Sequence, residues 1–298
     1  MLFGRVFIAA LALGTLAFVE TACERHRTPQ QACDGGDASS CYNLGQTYAK
    51  GQGVPKDAAR AVELYRRACA GGVAKACDSL GEMYENGEAV KADKTQAAQL
   101  YRKACDCGMV PDCGKAGAMY VEGVGVEKDA ATAMNLFQKA CDGGQAESCE
   151  KLGGGFSTGT GVQKDDSRAA QLYQRACDGG HAGGCFDAGV VFATGKGMPK
   201  DAVRAAQFYQ KSCDAASPQS CWALGMMYAA GVGVRTDAAR ASQLYKKACA
   251  GGNPVACDWE ANEQLCARMG SPGGKSLVDR MCAASKALRV AVIGSGGR

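Results

Sequence analysis

Apolar positions along this chain alternate between two helical stripes separated by polar turns. From Pro218 onward, Cys221, Leu224, Gly225 and Tyr228 fall at i, i+3, i+4 and i+7, which is one face of a helix. Ser217 and Pro218 open that helix as cap and first residue. Gly231 ends it, where a left-handed cap suits a residue without a Cβ, and Gly233-Val234 turns the chain. Asp237 caps a second helix, its carboxylate accepting from the free N–H groups of the first turn. Ala241, Leu244, Tyr245 and Ala248 make the apolar face of this helix B, and Lys246 and Lys247 suit the negative end of its dipole. Gly225 stands in the middle of helix A on the apolar face. A mid-helix glycine costs about 1 kcal/mol against alanine, so its position predicts close approach of a neighbouring helix.

The same pattern recurs every 36 residues, in six full copies from Cys33 to Ala248. Cysteine opens the copies at 33, 69, 105, 141, 177, 213 and 249, and returns at 41, 77, 113, 149, 185, 221 and 257. Helix-A glycines recur at 45, 81, 117, 153, 189 and 225, and the helix-B aspartates at 57, 93, 129, 165, 201 and 237. A fixed period of this length predicts a solenoid, in which each copy buries its apolar face against its neighbours. After Cys257 the pattern decays: Ala261, Gln264 and Ala267 stand where Gly, Tyr and Gly recur. The array is therefore assigned to residues 33–260, with a degenerate seventh copy. Residues 261–298 are expected to be capping helices and a tail, with a helix from Ser276 to Val292.

Cysteine changes the picture most. Eighteen cysteines at regular spacing read as a disulfide framework and an oxidising compartment. Each C-x7-C joins the end of one helix B to the first turns of the next helix A. Pairing is expected for Cys33 with Cys41, Cys69 with Cys77, Cys105 with Cys113, Cys141 with Cys149, Cys177 with Cys185, Cys213 with Cys221 and Cys249 with Cys257. This is not a zinc-ligand spacing, and the chain has only two histidines, so no metal and no cofactor are expected. Cys107 replaces the Gly found at 35, 71, 143, 179 and 251; it could compete with Cys105 for Cys113 or remain free, and is read as a buried spare thiol rather than a reactive one. Cys266 and Cys282 remain to pair with each other. Net charge is +4, with acidic and basic residues alternating through each copy. No basic stripe is interleaved with aromatics, so nucleic acid is not an expected partner.

Residues 1–22 read as an export signal: Arg5 is followed by an apolar run from Val6 to Val19. Thr21-Ala22 before Cys23 resembles a bacterial lipoprotein signal, in which Cys23 would be lipidated and residues 23–32 would be a tether. Glu20 departs from that motif, and cleavage near Ala22 to give a soluble exported chain is the other reading. The expected location is exported: periplasmic or membrane-anchored, with contact to the membrane only through a lipidated N-terminus.

Leu224-Gly225, Tyr228, Gly231, Gly233-Val234 and Asp237, followed by Ala241, Leu244-Tyr245 and Lys247-Ala248, strongly resemble the Sel1-like repeat family. The added C-x7-C is similar to the secreted, cysteine-rich members known from Helicobacter. Departures are local, among them Ala89 for Gly in copy two and Ala116 for Leu in copy three. The resemblance implies an all-α fold, an α/α superhelix related to tetratricopeptide arrays. It also implies an adaptor that holds a protein or peptide on a concave face. Some cysteine-rich members are described as penicillin-binding or weakly β-lactam-hydrolysing, which would make a β-lactam or a peptidoglycan fragment the ligand.

The residues give that enzymatic reading little to stand on. The chain lacks the S-D-N and K-T-G elements, and its one S-x-x-K, Ser148 to Lys151, is what chance supplies in a chain this rich in Ser and Lys. His26 and His181 are isolated, and no catalytic residue is assigned. The scaffold reading has a face to offer. Beside the repeating Cys, Leu, Gly and aromatic stripe of helix A runs one that varies from copy to copy: Tyr42, then Asp78, Glu82 and Glu85, then Glu150, then Phe186 and Val190, then Trp222 and Met226. Aromatics in a groove suit a peptide anchor. A purely structural envelope lipoprotein is the third reading.

Overall fold

The structure, a computed structural model, describes residues 27–257, and every regular element among them is an α-helix. The helices fall into two units, which divide after Asp129. The first holds α1 (Pro29–Asp34), α2 (Ala38–Lys50), α3 (Ala58–Ala70), α4 (Ala74–Asn86), α5 (Lys94–Asp106) and α6 (Val110–Glu122). The second holds α7 (Ala130–Asp142), α8 (Ala146–Thr158), α9 (Asp166–Asp178), α10 (Ala182–Thr194), α11 (Ala202–Asp214), α12 (Pro218–Ala230) and α13 (Ala238–Ala250). Hairpins α2–α3 and α4–α5 stack in the first unit, and α8–α9, α10–α11 and α12–α13 in the second, each helix B packing on the next helix A. This is the α/α solenoid architecture that the period predicts. The assignments of residues 1–22, Cys23, His26, Cys266, Cys282 and the helix Ser276–Val292 lie outside the described residues.

Local chemistry sets the helix ends. Asp57, Asp93, Asp165, Asp201 and Asp237 cap α3, α5, α9, α11 and α13, each side chain accepting from a first-turn N–H. Gly51, Gly87, Gly123, Gly159, Gly195 and Gly231 end the A helices with φ between 68° and 81°. Two residues later comes a second left-handed glycine. A Cβ on Gly197 would lie 2.1 Å from the Asp166 carbonyl oxygen, and one on Gly233 2.1 Å from that of Ala202. This turn therefore rests on the first turn of the previous helix B.

In copy two the second glycine is Ala89, held at φ 58°, and Ala216 is likewise held at φ 65° where the other copies have Gly. The left-handed region costs a residue with a Cβ about 1–2 kcal/mol, and glycine returns part of that through its freer unfolded state. Ala89→Gly and Ala216→Gly should each stabilise the array by roughly 0.5–1 kcal/mol. The check is a higher urea midpoint at unchanged slope; an unmoved or lower midpoint would contradict it.

The neighbour that the mid-helix glycine admits is a tyrosine of its own hairpin. Cβ atoms built on Gly45, Gly81, Gly153, Gly189 and Gly225 would lie 2.5–2.9 Å from the rings of Tyr65, Tyr101, Tyr173, Tyr209 and Tyr245. These rings are buried.

Cys33–Cys41, Cys69–Cys77, Cys105–Cys113, Cys141–Cys149, Cys177–Cys185, Cys213–Cys221 and Cys249–Cys257 are bonded, with Cα–Cα distances of 4.3–4.7 Å. Each bridge ties the last turn of a helix B, or α1, to the start of the next repeat. Cys107 corrects its expectation. It is free but exposed, because it forms the C-cap of α5 one residue beyond the last turn, where a side chain clears the core.

Candidate binding face

Along each helix A the repeat's Cys and Gly, and the residue before that Gly in copies two to six, are buried, while the varying stripe beside them is not. Tyr42, Asp78, Glu85, Phe186, Val190, Trp222 and Met226 are half-buried, and Glu82 is exposed. The aromatic members lean on the tyrosine of their own helix B: Tyr42 on Tyr65 at 5.8 Å, Phe186 on Tyr209 at 5.9 Å and Trp222 on Tyr245 at 4.7 Å between centroids. Each ring is therefore supported on one side and stays partly exposed. Phe186 and Val190 lie one turn apart on α10, and Trp222 and Met226 one turn apart on α12.

In the first unit the acidic members gather round a residue that the sequence reading did not include. Lys115, on α6, places its Nζ 2.8 Å from Asp78 Oδ1, 3.4 Å from Glu82 Oε1 and 3.2 Å from Asp112 Oδ1. The same ammonium stands 4.7 Å from the centroid of the Tyr101 ring, whose hydroxyl donates to Glu85 Oε2 at 2.7 Å. Burial works against the Lys115 ammonium, but the Asp78 and Asp112 carboxylates outweigh it and hold its pKa above the usual lysine range. Asp112 is 1% exposed, and neither of its oxygens accepts a hydrogen bond of good geometry. Burial, then the Asp78 carboxylate, push the Asp112 carboxyl up to about 6. Lys115 is thus the counter-charge that makes a buried aspartate tolerable.

In the second unit Asp187, on α10, stands across from Glu150, on α8, and these two A helices touch. Burial, then Glu150, push the Asp187 carboxyl up to about 6. The signal for Lys115 and Asp187 was present in the sequence. Their register reads Asn43, Ser79, Lys115, Lys151, Asp187 and Ala223, and only stacked A helices reveal what each residue faces.

The S-x-x-K residues do not form a reactive pair. Ser148 is 2% exposed and donates to Gln145 Oε1 at 2.7 Å, while Lys151 pairs with Glu147 at 3.2 Å. His181 is the N-cap of α10, its Nδ1 accepting from the Gly184 N–H. Among the described residues no group of three His, Cys, Asp or Glu is placed to hold a metal, and no helix is long and apolar enough to cross a membrane.

The Sel1 repeat model matches residues 38–73, 74–109, 113–145, 146–181, 182–217 and 218–253. This chain is a Sel1 repeat protein. The matched frames open at the first residue of each helix A or close to it. Among solved structures the Sel1 repeat chain is similar to c5321, a protective antigen of uropathogenic Escherichia coli with an SLR fold. The two are 28% identical with a TM-score of 0.70, and the match covers 90% of this chain and 56% of that one. The Sel1 repeat chain thus spans little more than half the length of that relative. It is also similar to a Sel1 repeat protein from Oxalobacter formigenes, at 27% identity and TM-score 0.57, over 81% of this chain and 95% of that one. Helicobacter pylori cysteine-rich protein B is 30% identical over 44% of this chain and 94% of its own, with a TM-score of 0.37. No curated protein sequence matches significantly. Sel1 repeats and the seven disulfides among the described residues together make this a disulfide-rich repeat protein, and such a framework belongs to an oxidising environment.

Proposed function

We propose that this protein is an exported scaffold that binds a protein or an extended peptide on the face formed by its A helices. One observation carries the reading. The stripe whose chemistry changes from copy to copy is the stripe left partly exposed, with Phe186, Val190, Trp222 and Met226 presenting apolar surface. Side chains that only filled the interior would be buried like their Cys and Gly neighbours. Aromatic rings held on one edge by a tyrosine lose little entropy on binding and suit anchor positions. Residues 1–22 supply export in this reading, and Cys23 the attachment to the envelope.

Panning a random dodecapeptide library against the oxidised array, and titrating the enriched peptides by fluorescence polarisation, tests it. Trp222→Ala should weaken binding at least about tenfold, as an interface anchor does, while the helical circular dichroism is retained. No enrichment, or unchanged affinity with a large loss of stability, would contradict the proposal.

A further inference from the structure

The two units carry one structural register with opposite charge. Moving two copies along the chain takes Asp78 to Glu150, Tyr101 to Tyr173 and Lys115 to Asp187. In the first unit this register holds an ammonium between carboxylates and above a tyrosine ring. The second unit keeps one carboxylate, Glu150, and the ring of Tyr173, but places a second carboxyl where the ammonium stood. Asp187 and Glu150 face each other where α8 and α10 touch. No lysine or arginine among the described residues closes the pair. Lys151 is engaged by Glu147 at 3.2 Å, and Lys196 by Asp166 at 3.3 Å and Ser157 Oγ at 3.0 Å. Gly154 stands where the first unit has Glu82, and nothing lies within 4 Å of its Cβ position. Phe186 precedes Asp187 directly, so the acidic pair borders the apolar stripe of α10.

Resting on the peptide-binding reading above, we infer that the A-helix face of the second unit takes a basic side chain of an extended peptide between Glu150 and Asp187, with a neighbouring apolar side chain of that peptide on Phe186 and Trp222. The ligand's ammonium or guanidinium takes the place that Lys115 fills in the first unit. Charge complementarity selects this occupant: two like charges facing each other at a half-buried position are relieved by one cation and aggravated by an acidic ligand. An aromatic ring beneath the pair adds a cation–π contact of the kind Lys115 makes with Tyr101.

Pools of capped dodecapeptides, each with one position fixed as Lys, Arg, Gln or Glu and the rest randomised, are titrated against the oxidised chain by fluorescence polarisation. Lys and Arg pools should bind at least about tenfold more tightly than Gln pools, and Glu pools most weakly. Asp187→Lys rebuilds the internal ammonium of the first unit. It should fold, melt no lower than the wild type, and lose the basic preference while keeping a Trp222-dependent apolar contribution. Glu150→Gln, a milder change, should reduce the preference several-fold. Equal binding of Lys and Gln pools, or a preference that survives in Asp187→Lys, would overturn the inference. If pools bind in a Trp222-dependent way without charge preference, only the inference fails; if no pool binds, the peptide-scaffold reading fails with it.

Discussion

Replacing Gly153 with alanine should lower the stability of the array by about 2 kcal/mol, and the same replacement at Gly154 should raise it by about 1 kcal/mol. Both residues sit inside α8, and helix propensity favours alanine at both by about 1 kcal/mol. What separates them is the partner. A Cβ on Gly153 would meet the Tyr173 ring at 2.8 Å, whereas one on Gly154 meets nothing within 4 Å. The ring is buried in its hairpin, so it cannot swing aside without opening the contact between α8 and α9. Overpacking of this kind costs up to about 3 kcal/mol, which outweighs the propensity gain. Urea unfolding of the two single variants gives the signs, and a double-mutant cycle with Tyr173→Leu gives the cause. The Gly153→Ala penalty should largely vanish once the ring is removed. A stabilised Gly153→Ala variant, or a penalty that ignores Tyr173, would refute the glycine–tyrosine contact as the reason for the glycine.

That contact also marks where the sequence ceases to be sufficient. The period, the caps and the disulfide spacing are legible because each is local and repeated: Asp237 caps α13 through atoms a few residues away. The glycine announces only that something comes close. Naming Tyr173 requires the rotation of two helices about each other, which no single stripe of residues specifies. Copy-specific departures are harder still. Cys107 carries the expectation of a buried thiol, yet it lies just past the helix end and is exposed. Asp78, Glu82 and Glu85 were legible as an acidic patch, but Lys115, the partner of Asp78 and Glu82, comes from the next helix A at an offset set by stacking. The apolar members were legible as a stripe because they recur in one register. Their support by Tyr209 and Tyr245 was not.

Full reduction of the disulfides should abolish most of the helical circular dichroism at 25 °C. Each bridge closes a short loop, worth about 2.5 kcal/mol on the chain-entropy model, and seven bridges are present among the described residues. Repeat arrays draw their stability from nearest-neighbour interfaces, and a domain's net stability is only about 5–15 kcal/mol. Weakening every junction at once therefore exceeds what the core alone retains. Removing one bridge should act locally and unequally. Helices α4, α6 and α8 begin at Val73, Met109 and Gln145 without a side-chain cap, whereas Ser217 caps α12. At an uncapped start the bridge is what holds the first turn, because Cys149 is the fourth residue of α8 and is tied to Cys141 on α7. Replacing Cys141 and Cys149 together by alanine should speed amide exchange in the first turn of α8 well beyond the effect at α12 of the same change at Cys213 and Cys221. Equal protection losses at the two sites would mean that the bridges constrain only the unfolded chain. Helicity that survives complete reduction would mean that the glycine–tyrosine hairpins stand without them.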